Sequence, residues 1–311
     1  MKIKYHPAVL YGFHGKTHFI IKTPLKIRKT RLSLRSRRWR EKQSRVFRID
    51  RGDCFVATLL AMTFYGILKV SIMQNQMKNT LALALDNVDS LRAIAGLIEQ
   101  TRPFIGVYKI GLEQFTRFGP PVVDEVRKSG ARMFLDLKFH DIPNTVAKAV
   151  GSACALGVQY LTIHTQGGSE MMRAAAKAAA DFREKGGQPP KIIGVTILTS
   201  ISQELLNNEL NVGAPIIDQV RHLAGLAAAS GLDGIVCSAA DLPAIKPSLP
   251  PAFEIITPGI RMPENGADDQ KRIASPRDAL KSGATLLVIG RPITAAADPA
   301  KAAESFLRAI A

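Results

Sequence analysis

The sequence predicts a (β/α)8 barrel, a TIM barrel, over residues 80–311, preceded by a basic extension. Three observations carry this. From Thr80 onward, short apolar runs alternate with alanine-rich segments of helical spacing, the pattern of βα units around a parallel sheet. The runs number eight. They share about 230 residues, close to the ~250 typical of such barrels.

The expected strands are 81–85 (LALAL), 105–110 (IGVYKI), 132–137 (RMFLDL), 160–164 (YLTIH), 192–198 (IIGVTIL), 234–237 (GIVC), 254–257 (EIIT) and 286–289 (LLVI). Each is four to seven residues long and rich in Leu, Ile, Val or aromatic side chains, as strands buried on both faces require. Helices are expected over 88–100, 122–129, 145–156, 170–183 and 216–230, where apolar residues recur every three or four positions, with a last helix over 299–310. An open doubly wound sheet is the alternative, but no Gly-rich fingerprint follows the first strand. Leu85 leads instead into Asp86-Asn87-Val88.

Composition sets the outer bounds. An apolar fraction of 46% and a charged fraction of 22% exclude global disorder, collagen and disulfide-stapled mini-folds. Three scattered cysteines, Cys54, Cys154 and Cys237, make neither a disulfide framework nor a zinc cage and suit a reducing cytoplasm.

The formal charge of +16 belongs to one end of the chain. Residues 1–80 hold 18 Lys and Arg against Glu41, Asp50 and Asp53, whereas the other 231 residues hold 24 basic and 23 acidic ones. Residues 22–48 cluster Arg35, Arg37, Arg38 and Arg40 around Trp39 and lack the apolar surface to order themselves. We therefore divide the chain into a disordered extension, 1–79, and a catalytic barrel, 80–311. The uncharged run 54–68 falls short of the ~20 apolar residues of a bilayer crossing, and its basic lead is too long for a signal peptide. Two readings stand for it: a membrane anchor, or a start codon assigned upstream of a true start near Met73 or Met77. The second is preferred, with no membrane or nucleic-acid partner and a cytoplasmic location.

In a barrel the chemistry sits where strands end. Those ends carry Asp86, Lys109, Asp136, Lys138, Asp141, His164, Thr199, Ser238, Arg261 and Arg291. In an extended strand Asp136 and Lys138 point to the same side and place an acid and an ammonium together at the barrel mouth. Spacing alone leaves a structural salt bridge as an equal reading. After the seventh and eighth expected strands come Pro258-Gly-Ile-Arg261 and Gly290-Arg291, glycines and guanidinium forks suited to a phosphate. The polar stretch 262–271 reads as a lid ending near Gln270. No His and carboxylate pair stands at metal-ligand spacing, so no metal is expected. His140, His164 and the cysteines read as structural residues.

The stretch Asp136-Leu-Lys-Phe-His-Asp-Ile-Pro-Asn-Thr145 resembles the active-site signature of the orotidine 5′-phosphate decarboxylase family. The resemblance runs from about Leu81 to the C-terminus and takes in Ala84-Leu-Asp86, Lys109-Ile-Gly111, Phe118-Gly-Pro120, Leu198-Thr-Ser200, Pro258-Gly-Ile-Arg261 and Ile289-Gly-Arg291. It implies conversion of orotidine 5′-monophosphate (OMP) to UMP and CO2 in pyrimidine biosynthesis, without a cofactor. It further implies that Lys138 protonates C6, with Asp136 set beside the substrate carboxylate. Asp86 and Lys109 would hold the ribose and complete the charged network, Thr199 would touch the substrate, and Arg261, Gln270, Gly290 and Arg291 would hold the phosphate. Asp141 and Thr145 would reach the neighbouring site of a homodimer.

Chemistry read from the residues agrees. A C6 carbanion has no adjacent carbonyl to delocalise it, so a site needs a fixed positive charge and a proton, both of which one ammonium supplies. Two rival readings are a nucleic-acid or membrane-surface protein working through residues 1–53, and a related magnesium-dependent barrel enzyme acting on a sugar phosphate. The second is not expected to share Phe139-His-Asp-Ile-Pro-Asn-Thr145 together with Pro258-Gly-Ile-Arg261.

Overall fold

The computed structural model describes residues 76–262 and 274–311, and the backbone of 12–13 and 16–17. The chain divides into two compact units, Met1–Leu60 and Ala61–Ala311. In the first, Gly12–Phe13 pairs antiparallel with Lys16–Thr17. The basic run 22–48 and the apolar run 54–68 lie outside the described residues, as do Met73 and most of the lid, Gln270 included. Among the described residues no helix is long and apolar enough to cross a membrane.

The second unit holds the barrel. Its strands are β1 (Leu81–Ala84), β2 (Val107–Gly111), β3 (Arg132–Phe139), β4 (Tyr160–His164), β5 (Lys191–Val195), β6 (Gly234–Val236), β7 (Glu254–Thr257) and β8 (Leu286–Ile289). All eight pair in parallel and in chain order, and β8 closes on β1 through Leu287 opposite Leu81. Alternation along each strand separates two cores. Ala82, Ala84, Val107, Phe134, Tyr160, Ile193, Ile256, Leu286 and Val288 fill the barrel interior. Their neighbours in sequence, such as Leu81, Leu83, Tyr108, Leu135 and Leu161, pack outward in the larger core with the helices.

The helices are α1 (Leu91–Thr101), α2 (Leu112–Phe118), α3 (Pro121–Lys128), α4 (Pro143–Ala155), α5 (Gly168–Glu184), α6 (Gln203–Asn208), α7 (Ile216–Ala229), α8 (Leu242–Ile245), α9 (Pro276–Lys281), α10 (Arg291–Thr294) and α11 (Pro299–Ile310). Helix α1 shows the local logic. The Ser90 hydroxyl accepts the Ala93 N–H at 3.1 Å and caps the start, and the stripe Ile94, Leu97, Ile98 and Thr101 is buried. Burying each large aliphatic side chain there contributes about 1.5–3 kcal/mol.

The structure departs from the sequence expectation at a few boundaries. One helix was expected between β2 and β3, and there are two, because Gly119 adopts a left-handed φ of 62° and Pro120 and Pro121 follow it. Strand β3 runs on to Phe139. Strand β5 stops at Val195, three residues before the expected end, because its neighbour β6 ends at Val236, the partner of Val195. Helix α6 was not expected, and the Ser202 hydroxyl starts it by accepting the Leu205 N–H.

Candidate active site

The alternation that fills the barrel also builds the site. Asp86, Lys109, Asp136 and Thr162 stand two residues beyond the interior side chains Ala84, Val107, Phe134 and Tyr160, so each emerges at the C-terminal mouth. There the charges alternate. Lys109 Nζ lies 3.3 Å from Asp86 Oδ1 and 3.4 Å from Asp136 Oδ2, and Lys138 Nζ donates to the same Asp136 Oδ2 at 2.9 Å. One carboxylate oxygen thus serves two ammonium groups. Gly111 leaves room for the first pair, since a Cβ there would sit 2.9 Å from Asp86 Oδ1 and 3.1 Å from Lys109 Nζ.

Lys138 does not reach this position by ordinary strand geometry. Leu135 pairs with Leu161 and Phe139 with Ile163, so Asp136, Leu137 and Lys138 together stand opposite the single residue Thr162. The bulge puts Lys138 at φ 48°, a left-handed backbone that costs a side-chain-bearing residue roughly 1–2 kcal/mol. The expectation of an extended segment is corrected here, although acid and ammonium do meet.

Burial sharpens the electrostatics. Desolvation alone would favour the neutral forms, yet the Lys109 and Lys138 cations and hydrogen bonds from Lys138 and Thr162 hold Asp136 below its usual carboxylate range. Lys109, also buried, is held above its ordinary value by Asp136 and Asp86. Both groups therefore stay charged. A preorganised array of this kind needs no reorganisation when charge develops next to it.

The array opens into a cavity of about 370 Å3. Ala84, Phe134, Val195, Val236, Ile256 and Val288 form its apolar floor. Thr199, Pro258-Gly259, Arg261 and Gly290-Arg291, from the segments that follow β5, β7 and β8, also line the cavity. The cavity lining therefore combines the alternating carboxylates and lysines, two further guanidinium groups and an apolar floor. Among the described residues, no group of three or more His, Cys, Asp or Glu side chains could hold a metal ion.

Residues 79–306 match the model of the "Orotidine 5'-phosphate decarboxylase / HUMPS family". The chain belongs to this family. It is 45% identical over 229 residues to the orotidine 5′-phosphate decarboxylase of Moorella thermoacetica, covering 73% of this chain and 90% of that protein. Against the enzyme of the same name from Paramagnetospirillum magneticum the identity is 46% over 228 residues, covering 73% and 96%. The crystal structure of orotidine 5′-phosphate decarboxylase from Lactobacillus acidophilus superposes with a TM-score of 0.65 at 34% identity, covering 75% of this chain and 99% of that one.

Within this decarboxylase-family barrel, the structure brings eight of the expected residues to one cavity: Asp86, Lys109, Asp136, Lys138, Thr199, Arg261, Gly290 and Arg291. Asp141 and Thr145 do not line it. Both are exposed, in the loop after β3 and the first turn of α4, and Asp141 accepts the Ile142 N–H. His164 is half-buried with its ring 5.4 Å from that of His140, and burial, His140 and Lys138 push its pKa down. Ser238 lies off the cavity and caps a 3-10 turn with Asp241.

Sequence reasoning missed two residues. Asn87 turns the chain after Asp86 at φ 59°, its N–H donating to Glu113 at 3.1 Å, and Asn tolerates that backbone better than most residues. Thr162 is fully buried and binds both ends of the bulge. Its only signal in the sequence was parity: it sits between Tyr160 and His164 on the inward side of a strand.

Proposed function

We propose that this protein decarboxylates OMP to UMP, with Lys138 as the proton donor to C6. The observation that carries the reading is the Lys109–Asp136–Lys138 array at the mouth of the barrel, with one buried carboxylate oxygen between two ammonium groups. An acid buried beside the place of a substrate carboxylate favours that group's departure. An ammonium beside it meets the charge left behind.

In this reading the C6–carboxylate bond breaks, CO2 leaves, and the electron pair stays in an sp2 orbital at C6. The Lys138 ammonium faces that pair and transfers a proton to C6, giving UMP and a neutral amine that solvent reprotonates. Asp86 and Lys109 bind the ribose hydroxyls, and Thr199 contacts the substrate. Arg261, Arg291 and the Gly290 backbone hold the phosphate, with Gln270 joining them. Binding energy from the phosphate, remote from C6, then serves the chemical step. One lysine supplies both the fixed charge and the proton, so the reaction needs no metal or organic cofactor.

A homodimer belongs to the same reading. Asp141 and Thr145 share an exposed segment with Ile142, a large apolar side chain that is 65% exposed. In the dimer Asp141 and Thr145 complete the neighbouring site. Mixing Lys138→Ala and Asp141→Ala protomers tests this, because a hybrid then regenerates one intact site and recovers activity that neither variant has alone.

The full chain incubated with OMP in EDTA, followed by loss of the substrate's ultraviolet absorbance, tests the reaction. Metal-independent formation of UMP that disappears in Lys138→Ala is the expected result. Absence of conversion by the folded chain overturns the reading and favours a sugar phosphate as substrate, whereas conversion that EDTA abolishes overturns the metal independence alone.

A further inference from the structure

We infer that Thr162 is a positioning residue whose hydroxyl sets the geometry of the Asp136–Lys138 pair. Three residues of β3 stand opposite this one residue of β4. The Lys138 N–H donates to Thr162 Oγ1 at 2.9 Å, and the same oxygen donates its single hydrogen to Asp136 Oδ1 at 2.9 Å. The hydroxyl therefore closes the bulge from both ends.

Its two bonds have different consequences. The bond from Lys138 N–H holds the left-handed backbone at φ 48°, which aims the lysine side chain back over Asp136. The bond to Oδ1 fixes the rotation of the Asp136 carboxylate, so the other oxygen, Oδ2, is the one presented to Lys109 and Lys138. Without the hydroxyl, the carboxylate is free to rotate and exchange its oxygens between partners. Thr162 is fully buried, so water does not readily take the hydroxyl's place. Valine has nearly the same shape without the hydrogen-bonding group, and serine keeps the hydroxyl without the methyl.

The kinetic arm of the test rests on the decarboxylase reading; the structural arm does not. Steady-state kinetics of the full-length wild type, Thr162→Val, Thr162→Ala and Thr162→Ser are compared with OMP, alongside calorimetric binding of UMP. A misplaced ammonium at a reacting centre costs on the order of tenfold to a hundredfold in rate, so Thr162→Val and Thr162→Ala lower kcat by that factor. KM and UMP affinity stay within about threefold, because the phosphate contacts lie on other strands, and Thr162→Ser recovers most of the lost kcat. Equal kcat for the Ser and Ala variants overturns the inference, as does a Val variant within twofold of wild type. If Thr162→Val does not fold, the comparison of Ser with Ala still decides. A crystal structure of Thr162→Val or Thr162→Ala gives the answer without activity: Lys138 leaving positive φ, or Nζ parting from Asp136, supports the inference. An unchanged pair overturns it. Should the wild type convert no OMP, the functional reading fails and the crystallographic arm still stands.

Discussion

Replacing Lys138 by glycine is expected to give a more stable protein than replacing it by alanine, the reverse of the usual order inside a strand. Both substitutions remove the ammonium equally, so the difference isolates the backbone. At φ 48° an L-residue with a Cβ carries a penalty of roughly 1–2 kcal/mol that glycine does not. Glycine's larger loss of freedom on folding returns about 0.5–1 kcal/mol of that. The balance favours Lys138→Gly by about 0.5–1 kcal/mol, which for a domain of this size is a rise in Tm of about 1–4 °C over Lys138→Ala. Thermal unfolding of the two variants under identical buffer reads it. Ala82→Gly is the control, in ordinary strand backbone with a fully buried methyl, and is expected to destabilise. Equal or greater stability of Lys138→Ala would show that the bulge is relaxed and refute the strain at Lys138.

Three other expectations follow from the same geometry. Asp136 is held below its ordinary 3.8, so its stabilising contribution is present above about pH 4 and is lost as pH falls through its lowered folded value. Lys109 is held above its ordinary 10.5 and burial pushes Tyr108 from 10.0 up to about 12, so both contributions are complete below pH 10 and are lost as pH rises through the folded values. Urea unfolding across pH measures both slopes, and Asp136→Asn is expected to flatten the acid one. Arg291→Ala removes a guanidinium from the cavity lining and is expected to raise KM for OMP about tenfold or more in steady-state assays, since a charge-assisted bond contributes about 1.5–3 kcal/mol. An unchanged KM would move the phosphate elsewhere. Gly234→Ala is expected to destabilise by at least 1–3 kcal/mol in denaturant titration, because its Cβ would meet the Glu254 carbonyl and lie 2.6 Å from Glu254 Cβ across the β6–β7 ladder.

Much of this molecule is legible in one dimension because its regularities are local. Strand and helix periodicity depend on neighbours a few residues away, so eight apolar runs between alanine-rich helices were enough to predict a closed parallel barrel. The barrel in turn ranks the strand ends, which is how Asp86, Lys109, Asp136 and Arg261 could be named before any coordinates. The errors fall where chain geometry departs from its ideal. The break at Gly119 and the early end of β5 depend on local backbone torsions and on partners in other strands.

The sequence by itself determined the order of strands and helices, the shared side of Asp136 and Lys138 and the charge types at the mouth, because alternation and composition are properties of the chain. Tertiary structure decided that Lys138 takes a left-handed backbone, that one oxygen of Asp136 serves two ammonium groups, and that Thr162 ties the arrangement together. These depend on register: three residues of β3 against one of β4 is a relation between strands 24 to 26 residues apart. No periodicity within either strand contains it. The pairing of the two strands does, and only a closed barrel holds that pairing in place.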